Sequence, residues 1–229
     1  MSSSIEFNIA KVQQRIRFAE QKYSRNPQSV QLMAVTKTRS AAEIRIAAAE
    51  GITEVGENYL QEALQKQSEL TDLPLNWHFI GPIQGNKTRA IAEHFSWVHS
   101  VDRLKIAQRL NDQRPEHLPK LNICLQVNIS DEDSKSGITL QDLPALANLI
   151  TDMPRLQLRG LMAIPKATND EQAQRTAFTK LKTAAIALQQ DHPNMDTLSM
   201  GMSADMEAAI AEGASMVRIG TDIFGPRQS

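Results

Sequence analysis

The chain alternates, almost without a break, between short apolar runs and longer stretches whose apolar residues recur every three or four positions. The short runs predict strands at residues 30–36, 54–56, 76–80, 97–101, 121–129, 156–164, 197–200 and 216–219. Between them the longer spacing predicts helices, among them 41–50, 59–70, 87–94, 140–151, 172–190 and 204–212. A leading amphipathic helix spans 9–23, with Val12, Ile16, Ala19 and Tyr23 on one face, and Pro27 ends it. Strands alternating with helices predict a parallel sheet of βα units. Eight of them in 229 residues can close as a single (β/α)8 barrel preceded by an extra helix. An open doubly wound sheet is the alternative. No Gly/Ser-rich linker or shift in composition divides the chain, so residues 1–229 read as one domain. The most polar stretch, Ser130 to Gly137, reads as an exposed connection.

In a barrel of this kind, chemistry belongs at the C-terminal ends of the strands and phosphate near the loops after strands seven and eight. Lys37 closes the first apolar run, where a strand normally ends in a turn residue. Burial lowers the cost of deprotonating such an amine, and a neutral lysine forms Schiff bases with carbonyl compounds. An ordinary surface lysine lying along the rim is the competing interpretation. The seventh strand ends in Ser199-Met200-Gly201-Met202-Ser203 and the eighth in Arg218-Ile219-Gly220-Thr221. Both turns offer glycines and hydroxyls beside helix starts, where an anion is attracted. They serve equally as plain turns. Asn58 and Asn128 follow strands two and five, where Asn also caps helices and turns. His78 sits among apolar residues on strand three, as a cofactor neighbour or a core histidine. Arg218 is the one cation before the last turn. It forms a structural ion pair or faces the ring nitrogen of a bound pyridoxal, which a permanent donor would keep unprotonated. That arrangement favours holding a cofactor over vigorous carbanion chemistry.

Composition narrows the classes further. Hydrophobic residues make up 41% and charged residues 22%, as in ordinary globular proteins. A net charge of -1 gives no field toward nucleic acid or an anionic membrane. Cys124, the single cysteine, excludes an internal disulfide, fits a reducing compartment and reads as a buried inert thiol. The first residues have no basic region followed by an apolar stretch, and no run approaches the ~20 apolar residues of a membrane span. A cytoplasmic protein is expected. The histidines His78, His94, His99, His117 and His192 lack metal-ligand spacing. Asp131 and Asp133 begin like a calcium loop, but Lys135 stands where an oxygen ligand belongs. Gly85-Asn86-Lys87-Thr88 lacks the glycine spacing of a nucleotide loop.

Several segments together resemble the pyridoxal-phosphate homeostasis protein family, which is similar to the barrel domain of bacterial alanine racemase. They are Ala34-Val35-Thr36-Lys37-Thr38, Gly56-Glu57-Asn58-Tyr59, Trp77 to Lys87, Ser134-Lys135-Ser136-Gly137, Arg159-Gly160-Leu161-Met162, Leu198 to Ser203 and Val217 to Gly225. They span nearly the whole chain in order. The resemblance implies the fold-type-III barrel of pyridoxal enzymes without its C-terminal β domain, and pyridoxal 5'-phosphate as cofactor. It implies that Lys37 forms the internal aldimine, that Asn58 and His78 line the pocket and that Arg218 meets the pyridine nitrogen. It also implies that Ser199, Gly201, Gly220 and Thr221 hold the phosphate. The family is regarded as non-enzymatic, keeping the cellular cofactor pool in order, with pyridoxal-dependent apoenzymes as possible recipients. The sequence agrees: it ends at Ser229 soon after strand eight, and its only tyrosines are Tyr23 and Tyr59, so no second acid/base is expected opposite Lys37. A monomer is expected. Two enzymatic alternatives remain, a weak amino-acid racemase or related pyridoxal enzyme, and a Schiff-base aldolase acting on a sugar phosphate.

Overall fold

A computed structural model describes residues 4–130 and 136–226. Eight parallel strands close into a barrel in chain order: β1 Gln31–Val35, β2 Glu54–Glu57, β3 Asn76–Phe79, β4 Trp97–Val101, β5 Leu121–Gln126, β6 Leu156–Met162, β7 Thr197–Ser199 and β8 Met216–Ile219. The helices are α1 Ile5–Lys22, α2 Ala41–Ala49, α3 Leu60–Glu69, α4 Thr88–His94, α5 Leu104–Gln113, α6 Leu143–Thr151, α7 Glu171–Gln189, α8 Met206–Ala211 and α9 Thr221–Phe224. The closed order settles the topology against the open sheet, which would leave two edges unpaired.

The predicted strands all form, and the differences lie at their ends. β5 stops at Gln126 and β6 at Met162, short of the predicted 129 and 164, because chain leaving a barrel rim loses its ladder partners while staying apolar. Helix α1 begins a turn earlier than its periodicity predicts, since Ser4 caps it by accepting the Phe7 N–H at 3.3 Å. It ends at Lys22, before Pro27, and Ser24 follows with φ +52°. Two helices, α5 and α9, lie outside the predicted set.

The shortness of α9 explains the leading helix. Only four residues follow β8 as helix, too few to cover the barrel there, and α1 lies against α8 and α9 instead. Its buried stripe of Ile9, Val12, Ile16 and Ala19 joins the core between barrel and helices. Buried Glu20 accepts the backbone N–H groups of Val30 and Gln28, which fixes the entry into β1.

The apolar core surrounds the barrel. Inside it, polar side chains fill much of the space: Glu54, His78, His99, Ser199 and Arg218 are all buried. Branched aliphatic residues usually occupy such positions. Cys124 is buried and free, and burial pushes its thiol well above the ordinary range, in keeping with an inert role.

Candidate functional site

Lys37 stands two residues beyond β1, half-buried, in the turn that leads to α2. Thr36 turns its hydroxyl outward to Glu57 Oε1 at 2.6 Å, so strand alternation directs position 37 toward the barrel mouth. The backbone on both sides of Lys37 is tied down. Lys66 Nζ donates to the Thr36 carbonyl at 2.7 Å, to Glu57 Oε1 at 2.7 Å and to Glu62. Glu62 accepts the Thr38 N–H at 2.6 Å, which holds Thr38 at φ +63°, a left-handed conformation rare outside glycine. Burial lifts the Glu57 carboxyl above its ordinary value despite Lys66, and its Oε2 has no partner among the described residues.

Parallel register sets the neighbours of Lys37. Val35 pairs with Gly56 on β2, which brings Asn58 to one side. Ala34 pairs with Ile219 on β8, which brings Gly220 and Thr221 to the other. A Cβ on Gly220 would stand 3.2 Å from the Val35 carbonyl oxygen, so the two rim segments touch. The Asn58 side-chain oxygen is buried and has no partner among the described residues. Gly81 packs directly on its backbone, where a Cβ would stand 2.2 Å from the Asn58 carbonyl oxygen. Gly201 has φ +96° and packs against Ala209, and the Met202 N–H after it is held by Asp205 at 2.6 Å.

Below the rim, a row of hydrogen bonds crosses the barrel. Glu54 Oε2 lies 2.6 Å from His78 Nε2, His78 Nδ1 lies 2.9 Å from His99 Nε2, and His99 Nδ1 lies 2.8 Å from Ser199 Oγ. Arg218 Nη1 donates to Ser199 Oγ at 2.9 Å and Nη2 to the Ala163 carbonyl at 3.0 Å. Burial holds both imidazoles below the ordinary histidine range, His99 well below it and His78 against the pull of Glu54. Burial also lowers the Arg218 guanidinium to about 10, still a cation at neutral pH. For Glu54, burial pushes upward, but hydrogen bonds from His78 and Asn76 prevail and hold the carboxyl below its ordinary value.

The structure therefore gathers Lys37, Asn58, Gly220 and Thr221 on adjacent strands, with Gly201 one strand further round. His78 and Ser199 lie deeper. Both ring nitrogens of His78 are occupied inside the barrel, so it can offer a ligand only its ring edge. The Ser199 hydroxyl is buried between His99 and Arg218, which leaves its backbone as the part nearest the β7 turn. Asn128 accepts the Ser130 N–H at 3.3 Å, a turn contact. Gly85 to Lys87 form a 3-10 turn closed by Thr88. Asp131, Asp133, Ser134 and Lys135 lie outside the described residues. A cleft of about 670 Å3 opens on the flank between α6 and α7, lined by Leu143, Lys180 and Leu188, and it contains none of these groups.

Sequence reading missed Glu54, His99, Glu57, Glu62 and Lys66. Two carboxylates in the four-residue strand Glu54-Val55-Gly56-Glu57 were the available signal, because strands of a parallel barrel are covered on both faces and seldom carry charge. Lys66 offered another, since it shares the buried face of α3 with Leu60 and Ala63.

Comparison with known proteins puts this geometry in a class. The pattern for the N-terminal domain of alanine racemase matches residues 7–228. A pyridoxal phosphate homeostasis protein of Pseudomonas aeruginosa is 62% identical over 225 residues, covering 98% of this chain and 96% of that one. One from Escherichia coli strain K12 is 50% identical over 228 residues, covering 98% and 97%. Among solved structures, PipY of Synechococcus elongatus with PLP bound superposes with a TM-score of 0.85 at 40% identity, covering 97% of this chain and all of that one. The chain belongs to the pyridoxal phosphate homeostasis protein family, within the alanine racemase N-terminal domain class.

Proposed function

We propose that this protein holds pyridoxal 5'-phosphate covalently through Lys37 and takes part in cofactor homeostasis within the cell, without robust catalysis of its own. The observation that carries the reading is the rim itself: Lys37 stands between Asn58 and Gly220-Thr221, above an arginine with donors to spare. The residues fit the group. The buried Asn58 oxygen, without a partner among the described residues, is suited to accept a donor from a ligand. Among the described residues Arg218 gives two of its five N–H groups to Ser199 and Ala163, which leaves donors for a pyridine nitrogen. Gly201, Gly220, Thr221 and the backbone at Ser199 would hold the phosphate, and His78 would back the pocket from below.

Bound there, the cofactor supplies an aldehyde that condenses with amines and a ring that withdraws electrons. This chain's residues do the rest. Lys37 supplies the amine, its flanking peptides fix where that amine sits, and Arg218 keeps a proton off the ring nitrogen, which restrains carbanion chemistry. Such a site suits reversible loading and delivery to apoenzymes. It works as a single chain, because every group named comes from one barrel.

The test is the absorption spectrum of the purified protein before and after borohydride reduction, with mass spectrometry of the reduced peptide. The expected result is a yellow protein, an adduct on Lys37, and loss of colour in Lys37→Ala. A full covalent adduct persisting in Lys37→Ala overturns the assignment. Sustained turnover of an amino acid beyond stoichiometry overturns the non-catalytic part of the reading.

A further inference from the structure

We infer that the hydrogen-bonded row from Glu54 through His78, His99 and Ser199 runs in one direction only, and that Glu54, at the far end of that row, is a positioning residue for Arg218. The inference rests on the proposed role of Arg218 for its functional consequence, and for the row on four contact distances together with the neutral state that burial gives both imidazoles.

The direction follows from donor chemistry. An ionised carboxylate only accepts, so the 2.6 Å contact requires the hydrogen on His78 Nε2. A neutral His78 then presents a lone pair at Nδ1, and the 2.9 Å contact requires the hydrogen on His99 Nε2. The same step leaves His99 Nδ1 as an acceptor, so the Ser199 hydroxyl must donate to it at 2.8 Å. Ser199 Oγ is left with lone pairs, and Arg218 Nη1, which can only donate, meets them at 2.9 Å. No group is asked to act twice in conflicting roles. Four contacts across β2, β3, β4, β7 and β8 agree on one pattern, with the cation at one end and the carboxylate at the other.

The pattern has two consequences. Ser199 cannot give its hydroxyl hydrogen to a phosphate without breaking the row. Arg218 is pinned at Nη1 by a chain that ends in a full negative charge, so its remaining donors keep a fixed direction. Other charged groups bear on the row. Arg159 lies 4.8 Å from the centroid of Trp97, which stacks on His78. Asp196 pairs with Arg159, and Asp205 faces Arg218 from the β7 turn. None of these replaces Glu54 in the row, because none is hydrogen-bonded to a member of it among the described residues.

The test reads histidine tautomers by long-range nitrogen NMR on the full-length protein labelled in histidine, first without cofactor. The expected result is a single hydrogen at Nε2 on both His78 and His99, with neither ring charged between about pH 6.5 and 8.5. An Nδ1 hydrogen on either ring, or an imidazolium appearing in that range, overturns the inference. Glu54→Leu removes the terminal acceptor and is expected to disturb the tautomers of both rings. A change confined to His78 overturns the coupling. Pyridoxal phosphate is then loaded and its escape into excess apoenzyme is timed. Glu54→Gln keeps an acceptor and loses the charge, and is expected to release the cofactor about tenfold faster with Lys37 still trapped by borohydride. Unchanged release overturns the positioning role. If the wild-type protein traps nothing at Lys37, the proposed function fails, while the tautomers of the cofactor-free chain still decide the direction of the row.

Discussion

Glu54 and Glu57 lie three residues apart on one short strand, and they do opposite work. Pleating sends Glu54 into the barrel and Glu57 outward against α3. The inner carboxylate ends a row in which each buried contact has a complementary donor and acceptor. The outer one belongs to a cluster with a deficit: two carboxylates share the Lys66 ammonium, and Glu57 Oε2 is left without a partner among the described residues. The inner row reaches Arg218 beneath the rim, whereas the outer cluster grips the peptides on either side of Lys37. The lesson is that one strand supplies two kinds of preorganisation. A satisfied polar network fixes the direction of a donor, and a charge cluster fixes the path of a backbone.

The comparison breaks most sharply at Lys66. Replacing it with methionine keeps most of the stem packing but leaves Glu57 buried without its cation. Removing one partner of a buried pair typically costs about 3–5 kcal/mol. Lys66→Met is therefore expected to lose that much stability in denaturant unfolding and to slow borohydride-trappable loading of Lys37, because the Thr36 carbonyl keeps the Arg39 N–H at 2.9 Å but loses the donor that ties it to α3. Loading at the wild-type rate in a folded Lys66→Met protein would show that the turn holds its shape without the clamp.

His99→Phe cuts the inner row instead. It keeps an aromatic ring in place but strands the His78 Nδ1 lone pair and the Ser199 hydroxyl, at a cost of about 1–3 kcal/mol. Because Lys37 lies outside this row, loading is expected to survive and retention to suffer, the reverse of Lys66→Met.

Acid separates the two networks by sign. His78 and His99 have native pKa values below the ordinary 6.5, so their contribution is complete above that value. It declines as pH falls below it, where the unfolded chain takes up protons that the native chain refuses. Each imidazole contributes a slope of about 1.4 kcal/mol per pH unit until its native pKa is reached. Glu54, lowered from 4.5, likewise contributes above its ordinary value and loses that contribution in stronger acid. Glu57 is raised above 4.5, so its contribution is present in acid and declines as pH rises through its native pKa. The contribution of Glu57 is common to wild type and His99→Phe, so the difference between their stability slopes below pH 6.5 reports His99 together with its effect on the adjoining His78 ring. Equal slopes in urea titrations would mean that His99 takes up its proton as readily in the native protein as in the unfolded chain.

How much of this was legible follows from what each feature requires. The eight strands and the barrel were readable because apolar spacing is local. The placement of Lys37, Asn58, Gly220 and Thr221 at the rim was readable because each lies within two residues of a strand end, where barrel chemistry collects. The inner row was not. His99 and Ser199 are 100 residues apart, and their contact exists only once closure brings β4 and β7 across a common interior. For the same reason the Ser199 hydroxyl, which sequence order assigned to the phosphate turn, lies inside the barrel. Lys66 was hidden differently, because a lysine on a helix reads as solvated until its neighbours are known.

The smallest expected effect tests whether the Lys37 turn depends on the helix that follows it. Ser40 caps α2 with a reciprocal pair: its hydroxyl accepts the Glu43 N–H at 3.3 Å, and Glu43 accepts the Ser40 N–H at 2.7 Å. Ser40→Ala removes one half of that box and is expected to cost about 1 kcal/mol. Among the described residues no hydrogen bond links the clamp to Ser40, for Lys66 and Glu62 hold Thr36 and Thr38 from α3. Loading at Lys37 and retention of the cofactor are therefore expected to match wild type while the melting temperature drops slightly. Slower loading in Ser40→Ala would mean that α2 positions the amine as well, and that the outer cluster is only part of the grip on Lys37.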